Sequence, residues 1–344
     1  MVAFKTAKLG GTASDIVVGK VAGYVHRWRD PNVPLPDEEA FEAIKAGVDA
    51  MPQGVKMFLN SGEFYGPNGS TANLELLARF YEKYPEYAER TFLSVKGGGK
   101  ENSFVPDSSP ENLRRSADKI NAVLRGTKRV DLFECARVAK NVPIEDAIRT
   151  LAQLKKEGKF DHIGMSECSA ATLKRANAVH PIAAVEIEVS LWSYEEETKK
   201  VIETAKELGI AVIAYSPLGR GFLTGAIKSP DDLPPQDMRR HFSRFQGENF
   251  KHNLAIVEAV KAIAAKKGVT PAQLCIAWVA SRGPHVIPLP GSSSKKRNLE
   301  NIAGGNIELT DADLAEIDEI ISKYPVKGGR YRDDVDPQVL HLWG

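Results

Sequence analysis

The sequence alternates short β-branched or apolar runs with segments of helical periodicity, and this alternation restricts the possible folds more than any other feature. The runs predicted to be β-strands are Ile16–Lys20, Met57–Asn60, Thr91–Lys96, Val130–Cys135, Ile163–Ser166, Ala184–Glu188, Ala211–Tyr215 and Val286–Pro288. Eight strands that alternate with helices are the number that closes a parallel (β/α)8 barrel. The sequence therefore predicts an α/β fold of the TIM-barrel type, with residues 1–344 forming one domain.

Several helices and turns have clear boundary signals. In the segment from Pro143 to Gly158 the apolar residues share one helical face, the proline suits the first turn, and the glycine suits a left-handed C-terminus. A second amphipathic segment ends at Gly209, directly before a predicted strand. Near the start, Gly10 and Gly11 in LGGTASD predict the turn of a β-hairpin. We expect this hairpin to precede the first barrel strand and to cover the bottom of the barrel.

Two segments interrupt the alternation. Thr224–Asn253 is long, contains three prolines and carries several basic side chains. Long loops of this kind are commonly functional or disordered, so the segment is either a loop that closes over a bound ligand or a solvated insertion. The tail Lys323–Gly344 has no periodicity.

Charge and cysteine content exclude several classes of function. The chain has 46 Lys and Arg against 45 Asp and Glu, a net charge of +1, which does not favour nucleic-acid or membrane partners. Cys135, Cys168 and Cys275 are too few and too scattered for a disulfide framework or a metal site. The N-terminus has no apolar signal region, and no apolar stretch is long enough to span a membrane. We therefore expect a cytoplasmic protein without a metal.

Chemically useful side chains stand at the predicted C-terminal ends of strands, where a barrel of this type places its active site. FLNSGEFYG puts Asn60 at the end of one strand and Tyr65 in the loop beyond it, and FLSVK ends the next strand with Lys96. A lysine at such a position is as often a solvated rim charge as a catalytic group. Beside a tyrosine, however, a buried ammonium group lowers the pKa of the phenol and makes it a better proton donor near neutral pH.

With these motifs the chain resembles the aldo-keto reductase superfamily over almost its whole length, and within it is most similar to the fungal pyridoxal reductases. The resemblance implies an NADPH-dependent reduction of an aldehyde to an alcohol, specifically pyridoxal to pyridoxine. Tyr65 would be the proton donor and Lys96 would lower its pKa. The remaining two members of the family's catalytic set, Asp and His, fall on Asn60 and Ala136. Asn60 can hydrogen-bond Lys96 but cannot neutralise its charge.

The same resemblance implies where the cofactor and the substrate bind. The residues implied to contact the nicotinamide and the pyrophosphate are Gly23, Ser166, Glu186, Tyr215, Ser216, Leu218, Gly219 and Gly221. Glu167 replaces the family's usual Asn, and Glu186 replaces its usual Gln. Those implied to hold the adenosine 2′-phosphate and the adenine are Gly291, Ser292, Ser293, Arg297, Glu300 and Asn301. Serine hydroxyls and an arginine suit a phosphate, which favours NADPH over NADH. The implied walls of the substrate site are Tyr24, Trp28, Phe64, Ala136 and Trp192.

Other functions remain open at this stage. One is a broad-specificity aldehyde or ketone reductase. Another is a cofactor-binding regulatory module with vestigial turnover, which the replacements at Asn60 and Ala136 favour. An unrelated barrel that binds a sugar phosphate would leave Tyr65 and Lys96 without a role. The expected partner is a small aldehyde, and the oligomeric state is not indicated.

Overall fold

The computed structural model describes residues 4–24, 35–101, 103–335 and 340–344. The strands are β1 (Thr6–Lys8), β2 (Val17–Gly19), β3 (Met57–Gly62), β4 (Thr91–Gly97), β5 (Leu132–Cys135), β6 (His162–Ser166), β7 (Ala184–Glu188), β8 (Ala211–Tyr215) and β9 (Val286–Leu289). The α-helices are α1 (Asp37–Asp49), α2 (Ala72–Lys83), α3 (Pro110–Leu124), α4 (Ile144–Lys156), α5 (Ala170–Val179), α6 (Glu196–Leu208), α7 (Gly247–Lys267), α8 (Pro271–Ala280), α9 (Lys295–Gly305) and α10 (Asp311–Lys323). Within these ranges no helix combines the length and the apolar character that crossing a membrane requires.

The long strands form one curled parallel sheet, in which β3 to β9 follow each other in sequence order. A short segment, residues 22–24, joins the two edges of this sheet. The amide of Ala22 donates to the carbonyl of Pro288 on β9 at 2.9 Å, and the amide of Gly23 donates to the carbonyl of Phe58 on β3 at 2.8 Å. This segment occupies the position of the eighth strand, so the predicted (β/α)8 barrel is confirmed.

The first predicted strand has a different place from the one expected. Within Ile16–Lys20, strand β2 pairs antiparallel with β1, so it belongs to the N-terminal hairpin and not to the barrel. The first strand of the barrel is described at residues 22–24, where it makes only isolated bridges, and the sequence pattern did not indicate it. The hairpin does cover the bottom of the barrel, where the amide of Gly10 donates to the carbonyl of Ala183 at 2.8 Å.

The parallel register sorts the strand side chains into an outer and an inner set, because successive residues point to opposite faces. At the bottom, inner residues pack with the hairpin into an apolar core that includes Phe58, Phe92, Leu132, Ala211 and Ile287. Towards the C-terminal ends of the strands the buried inner residues become polar, and they include Asn60, Lys96, Glu134, Glu186 and Glu188. The upper part of the barrel is therefore a buried layer of charge.

The helix boundaries agree with the sequence signals. Pro143 directly precedes α4, and Gly158 beyond its end has φ of +81°. Gly209 caps α6 with φ of +66°. Both glycines occupy the left-handed region, which strongly favours glycine.

The segment Thr224–Asn253 is more ordered than the sequence predicts. It contains short 3-10 turns, and its last seven residues belong to α7, which begins at Gly247. Phe242 and Phe245 are buried in the main core. These two side chains make the segment a packed part of the molecule. The sequence did not indicate this, because prolines and charged residues surround them.

Candidate active site

Lys96 lies at the centre of the buried charge layer, at the C-terminal end of β4. Its Nζ is 2.5 Å from Oε2 of Glu186 on β7 and 3.3 Å from Oε1 of Glu134 on β5. Burial lowers the pKa of Lys96, but the two carboxylates outweigh it and hold the pKa above its ordinary value. The lysine is thus a fixed ammonium group held by the carboxyl groups of β5, the next strand in the sheet, and of β7, which is not adjacent to β4.

Asn60 links the same groups from β3. Its Oδ1 accepts a hydrogen bond from Lys96 Nζ at 3.4 Å, and its Nδ2 donates to Glu186 Oε2 at 2.8 Å and to Glu134 Oε1 at 3.4 Å. Burial, with a further contribution from Glu134, raises the pKa of Glu186 to about 8, although Lys96 acts in the opposite direction. An amide at position 60 therefore bridges two carboxyl groups, whereas a carboxylate at the same position would be repelled by them.

Tyr65 stands beside Lys96 in the loop after β3. Lys96 Nζ is 5.9 Å from the centre of the tyrosine ring. The ring lies directly over Gly62, where a Cβ atom would come within 2.9 Å of Tyr65 Cδ1. Burial raises the pKa of Tyr65, and Glu186 adds to this, so the lowering by Lys96 is overcome. The net shift is opposite to the one expected from the sequence, because burial of the phenol, helped by the glutamates, outweighs the effect of the lysine charge.

A cavity of about 200 Å³ opens next to this pair. It is lined by Phe64, Tyr65, Lys96, Gly98, Gly99, Phe104, Pro106, Ala136, Arg137 and Leu340. The cavity thus joins the phenol and ammonium groups to an apolar wall, which is the arrangement that a small carbonyl compound with a hydrophobic body requires.

The expected substrate-site residues are only partly brought together. Phe64 and Ala136 line the cavity. Tyr24 packs edge-on against Tyr65 at 5.4 Å between ring centres. Trp192 packs against Phe222 in the core at 4.3 Å and does not reach this cavity. Trp28 falls outside the described residues.

Glu167 and Tyr215 are in contact where the nicotinamide is expected, and Ser166 directly precedes Glu167 at the end of β6. Glu167 Oε1 accepts hydrogen bonds from the Tyr215 hydroxyl at 2.7 Å and from Arg330 at 2.9 Å. Ser166 Oγ and Glu167 Oε2 are buried and have no hydrogen-bond partner within the described part of the chain. A hydroxyl donor beside a carboxylate acceptor matches the carbonyl and the NH2 of a primary carboxamide. The residues present therefore fit a nicotinamide amide, even though the family's Asn and Gln are glutamates here.

A second group of buried charges surrounds Glu188 at the end of β7. Arg330 Nε donates to Glu188 Oε2 at 3.0 Å, and Arg220 Nη2 lies 3.7 Å from the same oxygen. Arg244 donates to the Ser193 hydroxyl at 3.0 Å, which in turn donates to Glu188 Oε1 at 3.2 Å. Burial raises the pKa of Glu188, but the arginines outweigh it and hold the pKa below its ordinary value.

The sequence analysis missed Glu134, Glu188 and Arg330. Glu134 was detectable, because it follows Leu132 by two residues and therefore points to the same side of β5. Glu188 follows Glu186 in the same way on β7. Arg330 had no comparable signal, since it lies in a tail without periodicity.

The turn expected to hold the pyrophosphate is strongly curved. Ser216, Gly219 and Gly221 all have positive φ, at +52°, +54° and +93°. The Gly219 amide donates to the Ser216 carbonyl and the Gly221 amide to the Leu218 carbonyl, each at 2.9 Å. The glycines are thus required by the turn itself, and phosphate contact by this turn stays a prediction.

The residues expected at the adenosine end gather around the start of α9. Gly291 pairs with Tyr24 beside Gly23, and Ser292 and Ser293 follow it before the helix. Arg297, in the first turn, is exposed and makes no hydrogen bond or ion pair to any residue that the structure describes. Glu300 accepts a hydrogen bond from Thr270 at 2.6 Å, and Asn301 is buried. The arrangement leaves Arg297 available for an anion at the helix N-terminus.

The chain is similar to known proteins over most of its length. The aldo/keto reductase family matches residues 25–322. The chain is 36% identical over 314 residues to a probable pyridoxal reductase 2 of Schizosaccharomyces pombe, covering 90% of this chain and 92% of the relative. It is 37% identical over 282 residues to the aldo-keto reductase yakc of the same organism, whose name specifies NADP(+), covering 80% and 81% of the two chains.

A solved structure shows the same fold. The glycerol dehydrogenase AKR11B4 from Gluconobacter oxydans superimposes with a TM-score of 0.76 at 23% identity, covering 97% of this chain and 98% of that one. At this identity the likeness supports the architecture alone. The family match nevertheless includes every barrel strand from β3 to β9 together with Tyr65 and Lys96. The chain belongs to the aldo/keto reductase family.

Proposed function

We propose that the protein reduces an aldehyde to an alcohol with NADPH, and that pyridoxal is the substrate and pyridoxine the product. The observation that carries the proposal is the cavity in which Tyr65 and Lys96 stand together beside an apolar wall. The relative named as a probable pyridoxal reductase supports the choice of substrate, and the relative named with NADP(+) supports the choice of cofactor.

In the proposed reaction Tyr65 gives its proton to the carbonyl oxygen of the substrate. Its pKa lies above the ordinary value, so the phenol keeps its proton throughout the neutral range. Lys96 places a positive charge beside the oxygen that becomes negative, which stabilises the transition state electrostatically. Glu134 and Glu186 hold the ammonium group in place without receiving its proton, because the pKa of Lys96 is raised.

The cofactor would be held by the groups that fit it. Ser166 and Glu167 would bind the carboxamide, and Arg297 would bind the 2′-phosphate. When bound, the nicotinamide supplies the hydride. The chain's own task is to orient the carbonyl in the cavity and to deliver the proton from Tyr65.

The test is NADPH oxidation with pyridoxal beside benzaldehyde and propanal at equal enzyme concentration. We expect pyridoxal to have the highest kcat/KM and Tyr65→Phe to lose most turnover while still binding NADPH, since only a proton donor is removed. Similar rates for all three aldehydes would replace the pyridoxal assignment by a broad-specificity reductase. Full turnover in Tyr65→Phe would move the acid to another residue.

A second candidate is a cofactor-binding module with vestigial turnover. It is favoured by Arg330, which is paired with Glu167 in the region expected for the nicotinamide. It is also favoured by Ala136, which offers no imidazole to the substrate. Tight NADPH binding without steady-state NADPH consumption on any aldehyde would select this candidate over the reductase.

A further inference from the structure

Arg137 is a cation of the cavity wall that the proposed reaction does not use. It follows Ala136 directly after β5 and lines the same cavity as Lys96. Its three hydrogen bonds go to uncharged oxygens: the carbonyls of Leu340 and Ala136, at 2.8 and 2.7 Å, and the hydroxyl of Tyr331 at 2.8 Å. Within the described ranges no carboxylate lies within ion-pair distance of it, whereas Lys96 has two.

The guanidinium group has unused capacity for an anion. Three of its five N–H groups are engaged by these oxygens. The half-buried guanidinium group has no carboxylate at ion-pair distance among the described residues, so a negatively charged oxygen that enters the cavity gains from pairing with it. Arginine is also the side chain whose forked donors best match a carboxylate or another oxyanion.

The rest of the cavity specifies the body of the ligand. Phe64, Phe104 and Pro106 form an apolar wall, and the volume is about 200 Å³. A cavity of about 150 Å³ accepts benzene, so this one has room for a single aromatic ring with small substituents. The phenol of Tyr65 and the ammonium of Lys96 mark where a carbonyl oxygen would lie.

We propose that Arg137 is a specificity-determining residue that binds an anionic oxygen of the substrate. The preferred substrates are therefore monocyclic aromatic aldehydes that carry a carboxylate or a phenolate. This rests on the proposed aldehyde reduction and narrows its substrate class. Pyridoxal, whose phenol oxygen stands next to its aldehyde, belongs to that class.

The kinetic test compares aldehydes that differ only in the anion. The two pairs are 3-carboxybenzaldehyde with benzaldehyde, and pyridoxal with its 3-O-methyl ether. We expect the anionic member to have the higher kcat/KM by about 10- to 100-fold, the value of a charge-assisted hydrogen bond. Arg137→Gln should reduce this ratio to near one, and Arg137→Lys should keep part of it. Arg129→Gln removes an equal charge at the opposite end of the barrel, before β5, and should leave the ratio unchanged.

A binding measurement separates this inference from the proposed function. Benzoate and benzyl alcohol contain no aldehyde group that the enzyme could reduce. Calorimetry therefore gives their affinities without turnover. Tighter binding of benzoate that is lost in Arg137→Gln supports the anion site even if no aldehyde is reduced. Equal affinities of the wild-type protein for the two compounds, or equal kcat/KM within both aldehyde pairs, would overturn it. Both of these comparisons use the wild-type protein, so they decide the matter even if the variant does not fold.

Discussion

At the scale of single residues, the most informative position is 60, where an amide replaces the family's carboxylate. The carboxyl groups that hold Lys96 belong instead to Glu134 and Glu186, and Asn60 donates to both of them. Glu186 itself stands where the family usually has Gln. According to the resemblance, a carboxylate and an amide have thus exchanged places between β3 and β7, and we expect the two positions to depend on each other.

This exchange predicts that Asn60→Asp alone is harmful. The new carboxylate would lose the hydrogen bonds to Glu134 and Glu186 and would add a further negative charge beside a single lysine, at a pH where Glu186 is already partly ionised. We expect the free energy of unfolding to fall by on the order of 3 kcal/mol at pH 8, and by less at pH 5 where a carboxyl can be protonated. Urea denaturation measures it. The double variant Asn60→Asp/Glu186→Gln restores the charge balance and should recover most of the loss; no recovery would contradict the exchange.

Arg297 is the residue at which cofactor choice can be tested. It is exposed in the first turn of α9, so its removal should not disturb the core. We expect Arg297→Ala to weaken NADPH by about 1.5–3 kcal/mol and NADH much less, because only NADPH carries the 2′-phosphate. Fluorescence titration with both cofactors checks this. Lys295→Ala removes an equal charge from the same turn and is the control. Equal losses for the two cofactors would place the phosphate elsewhere.

At the scale of elements, local sequence patterns predicted most strands and helices of the barrel. They did not predict the contacts between residues that are distant in sequence. The strands from Met57 onwards and the ends of α4 follow from periodicity and from glycine and proline positions, which act over a few residues. The same alternation places Glu134 inside the barrel. The pairing of Glu134 with Lys96 could not be predicted, because it depends on the register of the strands in the closed sheet.

The tail Lys323–Gly344 makes a buried contact that no local pattern indicates. Arg330 contacts Glu167 across 163 residues of sequence, and nothing in its neighbourhood indicates a buried position. Tyr65 and Lys96 were identified through motif resemblance, whereas their electrostatic surroundings required the structure. The direction of the Tyr65 pKa shift was therefore predicted wrongly, because the sequence indicated neither how deeply the phenol is buried nor that Glu134 and Glu186 both lie near it.

The tail contact leads to a prediction about stability. Arg330 is 8% exposed and pairs with Glu167 and Glu188, which are 0% and 2% exposed. Arg330→Gln would leave buried carboxylates short of a counter-ion, and we expect a loss of about 3–5 kcal/mol in the free energy of unfolding. Urea denaturation at pH 7 measures it.

Two variants control this experiment. Arg332→Gln breaks an exposed ion pair with Asp334 and should leave the urea midpoint unchanged within error. Arg330→Gln/Glu167→Gln removes one of the stranded charges and should be more stable than Arg330→Gln alone. A midpoint for Arg330→Gln equal to that of the wild type would show that the tail does not pack on the barrel as described.

At the scale of the whole molecule, the buried charge layer makes stability depend on pH. The pKa of Glu186 is raised from 4.5 to about 8, mainly by burial. Between these values the folded protein holds a proton that the unfolded chain releases, so this stabilisation is complete below pH 4.5 and is lost as the pH rises through about 8. Glu188 acts in the opposite sense, because its pKa is lowered in the folded protein. Its contribution to the free energy of unfolding is lost as the pH falls below the ordinary pKa of a glutamate.

Lys20 determines which pH window isolates Glu186. It is buried at the bottom of the barrel, and burial lowers its pKa from 10.5 to about 8. Above pH 8 the unfolded chain binds the proton that the folded protein has released, so stability rises again with pH through this group. The interval from pH 6.5 to 8 lies below the pKa of Lys20 in the folded protein. In this interval the change in the free energy of unfolding with pH therefore comes mainly from Glu186.

In that interval the wild-type protein should become less stable as the pH rises, and Glu186→Gln should remove this slope. Glu134 remains in the variant to neutralise Lys96, so the fold should persist. One titrating group limits the slope to about 1.4 kcal/mol per pH unit. The measurement is the difference in free energy of unfolding between the two proteins, from urea denaturation at several pH values, because contributions from Lys20 and the histidines cancel in it. A difference that stays constant from pH 6.5 to 8 would mean that Glu186 is already ionised in the folded protein, and that the charge layer holds two full negative charges around one lysine.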